Sequence, residues 1–167
     1  MKILIAEDET IIRLDLRAIL ERQGFTVCGE ARDGLEAVEL ARSSRPDAAI
    51  LDMRMPRLDG IEAARRMYAE RPLPIVMLTA FRDRRTVERA VEAGVFGYLL
   101  KPFREADIAP ALHAAAARHR ELLAARRQVG ADRSKRIELN LPSAKGHAWP
   151  LRIDRNEDGS LDVRGGE

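Results

Sequence analysis

The stretch KILIAEDETIIRLDLRAILERQGFTVCGEA, residues 2–31, carries the pattern of one complete strand–helix–strand unit. Apolar and β-branched runs at residues 2–6 and 25–31 predict two strands. Between them, apolar residues recur at helical spacing at Ile12, Leu16, Ile19 and Leu20. The helical pattern stops at a glycine, which is typical of a helix C-terminus. A short crossover helix implies parallel strands with a right-handed connection.

The same alternation continues along the first 130 residues. Further strands are predicted at residues 47–53, 74–80 and 95–100, and further helices at 33–44, 58–70, 82–94 and 105–129. The strands are nearly continuous apolar runs, which indicates that helices cover both faces of the sheet. The sequence therefore predicts an α/β fold, an open, doubly wound, five-stranded parallel sheet with an extended last helix.

Length and composition narrow the class of protein. The chain has 167 residues, which suggests one domain and an appendage. No apolar run approaches the ~20 residues that span a bilayer, and the first residues meet acidic side chains too early for a secretory signal. The single cysteine, Cys28, permits no internal disulfide. We expect a cytoplasmic protein without a membrane partner.

Charged and hydroxyl side chains lie at the carboxyl ends of four of the five predicted strands. They are Glu7 and Asp8 at the end of the first strand, Asp52 at the end of the third, Thr79 at the end of the fourth and Lys101 at the end of the fifth. In doubly wound sheets, ligands bind at the carboxyl ends of the strands, so these side chains are expected to lie together.

Three converging carboxylates, without His or Cys, predict a site for a hard divalent cation such as Mg²⁺. A carboxylate can also act as a covalent nucleophile toward phosphorus, and an ammonium and a hydroxyl can then stabilise the phosphoryl oxygens. Each residue alone has an ordinary explanation, since acids favour helix N-termini and turns. Glu9 and Thr10 are assigned only to the start of the next helix.

With these residues in place, the chain resembles the receiver domain of bacterial two-component response regulators over about residues 2–120. The matching segments are LIAEDET, ILDMRMPRLDG, MLTA and YLLKPF. The resemblance implies a flavodoxin-like fold with sheet order 2-1-3-4-5. It implies that Asp52 is the phosphoacceptor and that Thr79 and Tyr98 form the switch. It also implies that Mg²⁺ is held by Asp8, Asp52 and the backbone carbonyl of Arg54, with Glu7 acting directly or through water.

The resemblance also implies a mechanism and a partner. A sensor histidine kinase presents phosphohistidine, Asp52 attacks it, and Lys101 offsets the developing charge. Thr79 then turns toward the phosphoryl group and leaves space for Tyr98. This describes a phosphoacceptor signalling protein with at most slow self-dephosphorylation, and not a metabolic enzyme. Self-association through the last helix, or through the face of helix 82–94 and the fifth strand, is compatible with it.

The sequence carries fewer signals for the output, which is the activity that phosphorylation would control. Receivers of regulators with an ANTAR RNA-binding module are similar to this chain in the segments EDETIIRLDL, LTAFRDR and KPFREADIAPAL. Such a module is a helical bundle, and residues 130–167 supply none.

The end of the last helix carries a basic segment. Residues 113–136 hold seven basic and two acidic side chains. This leaves an alternative: a phospho-dependent RNA- or nucleic-acid-binding regulator of the antiterminator type, acting through the basic helix extension. A charge run is more often a solvated face, and His113 and His119 are expected to be solvated helix residues.

Two other functional classes are disfavoured. An aspartyl-phosphate phosphatase needs a second acid two residues after its nucleophile, where this chain has Arg54. A flavin-binding protein of this fold needs a phosphate-binding loop after the first strand, and an acidic loop there repels phosphate.

The predicted domain organisation has three parts. Residues 1–120 form the receiver, residues 105–129 an extended C-terminal helix that overlaps it, and residues 130–167 a tail. Prolines and glycines interrupt the tail, which we expect to be disordered or to form a small β-hairpin with its turn at Asp158–Gly159.

Overall fold

The computed structural model describes residues 1–80, 93–133, 137–142, 148–155 and 161–165, with side chains through residue 127. The described chain divides into two compact units, Met1–Arg120 and Glu121–Glu167. The predicted helix at 82–94 lies almost entirely outside the described residues, and so does most of the face that it was expected to form with the fifth strand.

The first unit contains a five-stranded sheet in the order β2-β1-β3-β4-β5 with parallel pairing throughout. Its strands are β1 Lys2–Ala6, β2 Thr26–Ala31, β3 Ala48–Asp52, β4 Ile75–Thr79 and β5 Val95–Leu100. The described helices are α1 Thr10–Arg22, α2 Gly34–Ser44, α3 Gly60–Glu70 and α4 Glu105–Arg133. The predicted fold class and strand order are confirmed.

The continuous apolar runs form two separate cores because successive side chains of a strand point to opposite faces. In β1, Leu4 packs in one core and Ile3 and Ile5 pack in the other. The same division holds in β3, where Leu51 and Ile50 lie on opposite sides. Strands β3 and β4 are buried along their whole length, which explains why they lack the polar alternation of a half-exposed strand.

Helix α4 packs on the sheet through a face that includes a residue expected to be solvated. Leu112 and Ala115 are fully buried, and His119, one turn further on, is only 7% exposed. The His119 ring lies 5.1 Å from that of Phe96 in an edge-to-face contact. The expectation of a solvated His119 was wrong because it lies on the same helical stripe as Leu112 and Ala115. His113 is exposed, as expected.

The second unit contains a three-stranded antiparallel sheet in the order β6-β7-β8. Its strands are β6 Ile137–Pro142, β7 Ala148–Arg155 and β8 Leu161–Gly165. Strands β7 and β8 pair antiparallel, with Ile153 opposite Val163, and the Asp158–Gly159 turn predicted for a hairpin lies outside the described residues. Strand β6 was not foreseen, because its short apolar alternation ends at a proline.

Helix α4 continues to Arg133, four residues beyond the end expected from the sequence. Among the described helices, none is both long and apolar enough to cross a membrane.

Candidate functional site

The carboxyl ends of β1 and β3 bring the three predicted acids together. These strands are neighbours, with Ala6 opposite Leu51, so the residues that follow them share one edge of the sheet. Carboxylate oxygens of Glu7, Asp8 and Asp52 all lie within 4.8 Å of one another. Glu7 is fully buried and Asp52 is 6% exposed, whereas Asp8 is exposed.

Lys101 reaches this cluster from the end of β5. Its ammonium nitrogen lies 2.7 Å from Oε2 of Glu7 and 2.9 Å from Oδ1 of Asp52. The Lys101 amide donates a 2.9 Å hydrogen bond to the Thr79 carbonyl, which continues the β4–β5 pairing by one residue. The backbone therefore fixes the base of the lysine, and the ammonium bridges the two most buried acids.

The start of α3 approaches Asp52 so closely that it requires glycine. The Gly60 amide donates to the Met53 carbonyl at 3.0 Å, and a Cβ at Gly60 would lie 2.0 Å from the Asp52 carbonyl oxygen. The Arg54 amide donates to Oδ2 of Asp52 at 3.2 Å. With Lys101 on Oδ1, both oxygens of the Asp52 carboxylate are held in place.

Burial raises the pKa of the Glu7 carboxyl above its ordinary value; nearby Asp52 adds to this effect, and the Lys101 hydrogen bond opposes it. Burial likewise raises the pKa of Asp52, against the opposing effect of Lys101. Burial alone would lower the pKa of the Lys101 ammonium, but its hydrogen bonds to Glu7 and Asp52 outweigh that and raise it. Ionisation of this acid cluster is therefore costly unless further positive charge is supplied.

An open pocket of about 370 Å³ gives access to the cluster. It is lined by Asp8, Glu9, Asp52, Met53, Arg54, Ala80 and Lys101. The donor set suits Mg²⁺, which prefers oxygen ligands, takes few of them from protein and keeps several waters. Asp8 and Asp52 face this pocket, while Glu7 lies fully buried beneath them, a position that suits an indirect contact.

The two predicted switch residues occupy one face of adjacent strands. Tyr98 lies opposite Met77, and Thr79 lies opposite Leu100 in the β4–β5 register, so Thr79 and Tyr98 are two positions apart on the same side of the sheet. Thr79 is 3% exposed, and its hydroxyl lies 3.6 Å from the Met53 sulfur. Tyr98 is half-buried, and burial raises the pKa of its phenol.

Arg13, which was not predicted from the sequence, is buried below the acidic loop formed by Glu7, Asp8 and Glu9 after β1. Its Nη1 donates to the Glu7 carbonyl at 2.6 Å. A signal was available: Arg13 precedes Leu16 and Leu20 by three and seven residues, so it shares their buried face.

An ion pair outside the predicted site ties the loop after β3 to α2. Arg57 lies 3.0 Å from Oδ2 of Asp33, whose Oδ1 caps α2 by accepting from the Glu36 amide. The Leu58 carbonyl packs against Gly34, where a Cβ would lie 2.2 Å from it. The loop that completes the pocket is thus anchored on the N-terminus of α2 by two contacts.

Comparisons with known proteins agree with this architecture. A family profile described as the response regulator receiver domain matches residues 3–113. The transcriptional regulatory protein PdtaR of Mycobacterium tuberculosis (strain ATCC 25618 / H37Rv) is 50% identical over 147 residues, covering 87% of this chain and 71% of PdtaR.

Solved structures show the same fold. The receiver domain of the putative response regulator NarL from Mycobacterium tuberculosis is 31% identical with a TM-score of 0.66, covering 70% of this chain and 95% of that one. The receiver domain of a modulated diguanylate cyclase from Desulfovibrio desulfuricans G20 is 36% identical with a TM-score of 0.66, covering 71% of this chain and 95% of that one. The chain therefore belongs to the response regulator receiver domain family of two-component signalling systems.

Proposed function

We propose that this protein accepts a phosphoryl group on Asp52 from a sensor histidine kinase and then changes the face that it presents to its output partner. The observation that carries the proposal is the Asp52 carboxylate itself. It lies in an open pocket with Lys101 on one oxygen and the Arg54 amide on the other. Residues 1–120 would form the receiver, with residues 105–129 as a helical extension and residues 130–167 as a separate tail.

The proposed transfer uses the Asp52 carboxylate as the nucleophile. An Asp52 oxygen forms a bond to phosphorus while the P–N bond to the donor imidazole breaks, and the imidazole leaves with that electron pair. Mg²⁺, when bound by Asp8, Asp52 and the Arg54 carbonyl with Glu7 behind them, supplies charge neutralisation at the phosphoryl oxygens. The Lys101 ammonium provides the second positive charge. Any loss of the phosphoryl group by self-hydrolysis would be slow.

An apolar pocket beside the acceptor site suits a docking partner. It has a volume of about 560 Å³ and is lined by Ile11, Ile12, Asp15, Lys101, Pro102 and Phe103. Ile11 is 84% exposed and Leu14, one turn along α1, is 55% exposed. Because Lys101 lines both pockets, a kinase helix that covers these apolar side chains would bring its phosphohistidine toward Asp52.

The test is phosphorylation by acetyl phosphate or by a kinase in the presence of Mg²⁺. We expect labelling of the wild-type protein that requires Mg²⁺ and disappears in Asp52→Asn. Glu9→Gln, which changes an exposed acid at the same edge of the sheet, serves as the matched control and should remain labelled. Labelling of Asp52→Asn at another residue would overturn the assignment.

A second candidate function is phospho-dependent binding of nucleic acid through the basic part of α4. Arg120, Arg126 and Arg127 are exposed on this helix, and PdtaR is a transcriptional regulatory protein by name. Phosphate contacts by arginines make binding salt-dependent. A gel shift at two salt concentrations, with and without beryllofluoride as a phosphoryl analogue, tests this function. Size-exclusion chromatography of the same samples tests self-association.

A further inference from the structure

Arg13 is a buried cation that contacts the main chain of the acidic loop. Its residue surface is 8% exposed. Nη1 donates to the Glu7 carbonyl at 2.6 Å and lies 3.5 Å from the Asp8 carbonyl, while Nη2 lies 3.4 Å from the Thr10 hydroxyl. A guanidinium has several donors in a rigid planar fork, so one side chain holds successive residues of the turn from β1 into α1.

Arg13 and Lys101 supply positive charge to the site in different ways. Lys101 contacts the carboxylate oxygens of Glu7 and Asp52 directly. Arg13 contacts the carbonyl oxygens of Glu7 and Asp8 and leaves the Asp8 carboxylate free of its guanidinium. A cation that binds through carboxylate oxygens therefore competes with Lys101 but not with these Arg13 contacts.

A nearby arginine on the same helix shows what is specific to Arg13. Arg17 lies one turn further along α1, is half-exposed, and contacts Glu21 and Glu30 at 3.0 and 2.6 Å. Arg13 also approaches Glu30, at 3.9 Å. Both arginines therefore lie close to Glu30, but it is Arg13 that contacts the acidic loop.

We propose that Arg13 is a positioning residue that holds the Glu7–Asp8 turn in the geometry that Mg²⁺ requires. The proposal rests on the function proposed above, since it assigns Mg²⁺ to this pocket. Mg²⁺ demands near-ideal octahedral geometry with short bonds, whereas Ca²⁺ accepts longer and more variable ones. Loss of Arg13 should therefore weaken Mg²⁺ binding more than Ca²⁺ binding.

The experiment is calorimetric titration of the full chain with Mg²⁺ and, separately, with Ca²⁺. The variants are Arg13→Gln, which removes the charge and most of the donors, and Arg13→Lys, which keeps the charge but not the fork. Arg17→Gln is the matched control. We expect the Mg²⁺ dissociation constant to rise about tenfold or more in both Arg13 variants, the Ca²⁺ constant to rise by less than about threefold, and Arg17→Gln to stay within about twofold of wild type.

Several outcomes would contradict the positioning role. Unchanged Mg²⁺ binding by Arg13→Gln would show that Arg13 does not position the turn for the cation, and tighter binding would show that its charge repels the cation. Equal losses for Mg²⁺ and Ca²⁺ would indicate general loosening of the fold. Thermal unfolding in EDTA identifies any variant that fails to fold, in which case Arg13→Lys alone decides the question, and wild-type-like binding by it overturns the proposal. If the wild-type protein itself binds no Mg²⁺, the proposed function fails, independently of Arg13.

Discussion

The ammonium nitrogen of Lys101 lies 2.9 Å from Oδ1 of Asp52, inside a pocket that is open to solvent. The same ammonium lies 2.7 Å from Glu7, so a single lysine balances part of the charge of two buried acids. A net negative charge remains, because Asp8 is also within 4.8 Å. The site is arranged so that it gains from a cation, although it carries its own ammonium.

The first prediction concerns stability and pH. A carboxyl whose folded-state pKa is raised contributes stability that is fully present below its unfolded pKa and is lost as pH rises through the folded pKa. The pKa of Asp52 is raised from 3.8, so at neutral pH its ionised form opposes folding. In EDTA at pH 7, Asp52→Asn should therefore stabilise the protein by about 1 kcal/mol, or roughly 2–6 °C in Tm.

Thermal unfolding between pH 7 and pH 4 checks this prediction. The gain in Asp52→Asn should shrink as pH falls, and Mg²⁺ should raise the Tm of the wild-type protein more than that of the variant. Glu9→Gln, an exposed acid on the same rim, should change Tm by less than about 1 °C. A lower Tm for Asp52→Asn at pH 7 would show that its pair with Lys101 outweighs burial.

The second prediction separates two proposed roles of Lys101: its ammonium competes with Mg²⁺ for carboxylate oxygens, and it stabilises the transferred phosphoryl group. In Lys101→Gln, Mg²⁺ should bind at least as tightly as in wild type, because a competitor for the Glu7 and Asp52 oxygens is removed. Phosphorylation by acetyl phosphate should nevertheless slow by about 10²–10³-fold, since the ammonium no longer stabilises the transferred group. Calorimetry and radiolabelling measure the two quantities. Arg104→Gln, in the same loop but highly exposed, should change neither.

The third prediction concerns the switch, and the protein contains only two tyrosines to report on it. With tyrosine-labelled protein, beryllofluoride should shift the NMR signal of the Tyr98 ring and leave that of Tyr68 nearly unchanged. Thr79→Val should still be phosphorylated at a rate within a few fold of wild type but should lose the Tyr98 shift, because the hydroxyl is absent. Thr79→Ser should restore it. A normal Tyr98 shift in Thr79→Val would remove Thr79 from the switch.

The fourth prediction concerns the close approach of α3 to the end of β3 at Asp52. Gly60→Ala should destabilise the protein by about 2 kcal/mol or more, because its Cβ would lie 2.0 Å from the Asp52 carbonyl oxygen. It should also weaken Mg²⁺ binding by displacing Asp52. Gly97→Ala is the control, since a Cβ there meets its nearest atom at 3.6 Å. Urea unfolding and calorimetry measure both effects, and equal stability of the two variants would contradict the packing argument.

The sequence was sufficient to predict the structural features of this protein that depend on local periodicity. Continuous apolar runs that alternate with helical spacing predicted the five strands and their parallel direction, and the resemblance to receiver domains implied their order. The residues at the carboxyl end of each strand then predicted the edge on which Glu7, Asp52 and Lys101 meet, because all parallel strands end on the same side. His119 was misassigned although it continues the helical spacing of the buried Leu112 and Ala115, because a histidine occurs in solvated and in packed positions alike.

Tertiary structure alone decided how the charges of the site are balanced. Lys101 bridges Glu7 and Asp52. Gly60 lies against the Asp52 carbonyl, and Arg13 is buried below the acidic loop. These contacts join residues that are far apart in the sequence or that lie on different elements. No spacing in the sequence encodes their distances. The sequence by itself determined which side chains reach the rim of the sheet, since strand periodicity is local. The packing of helices on that sheet decided which charges are buried together, and burial is what shifts their pKa values and favours a bound cation.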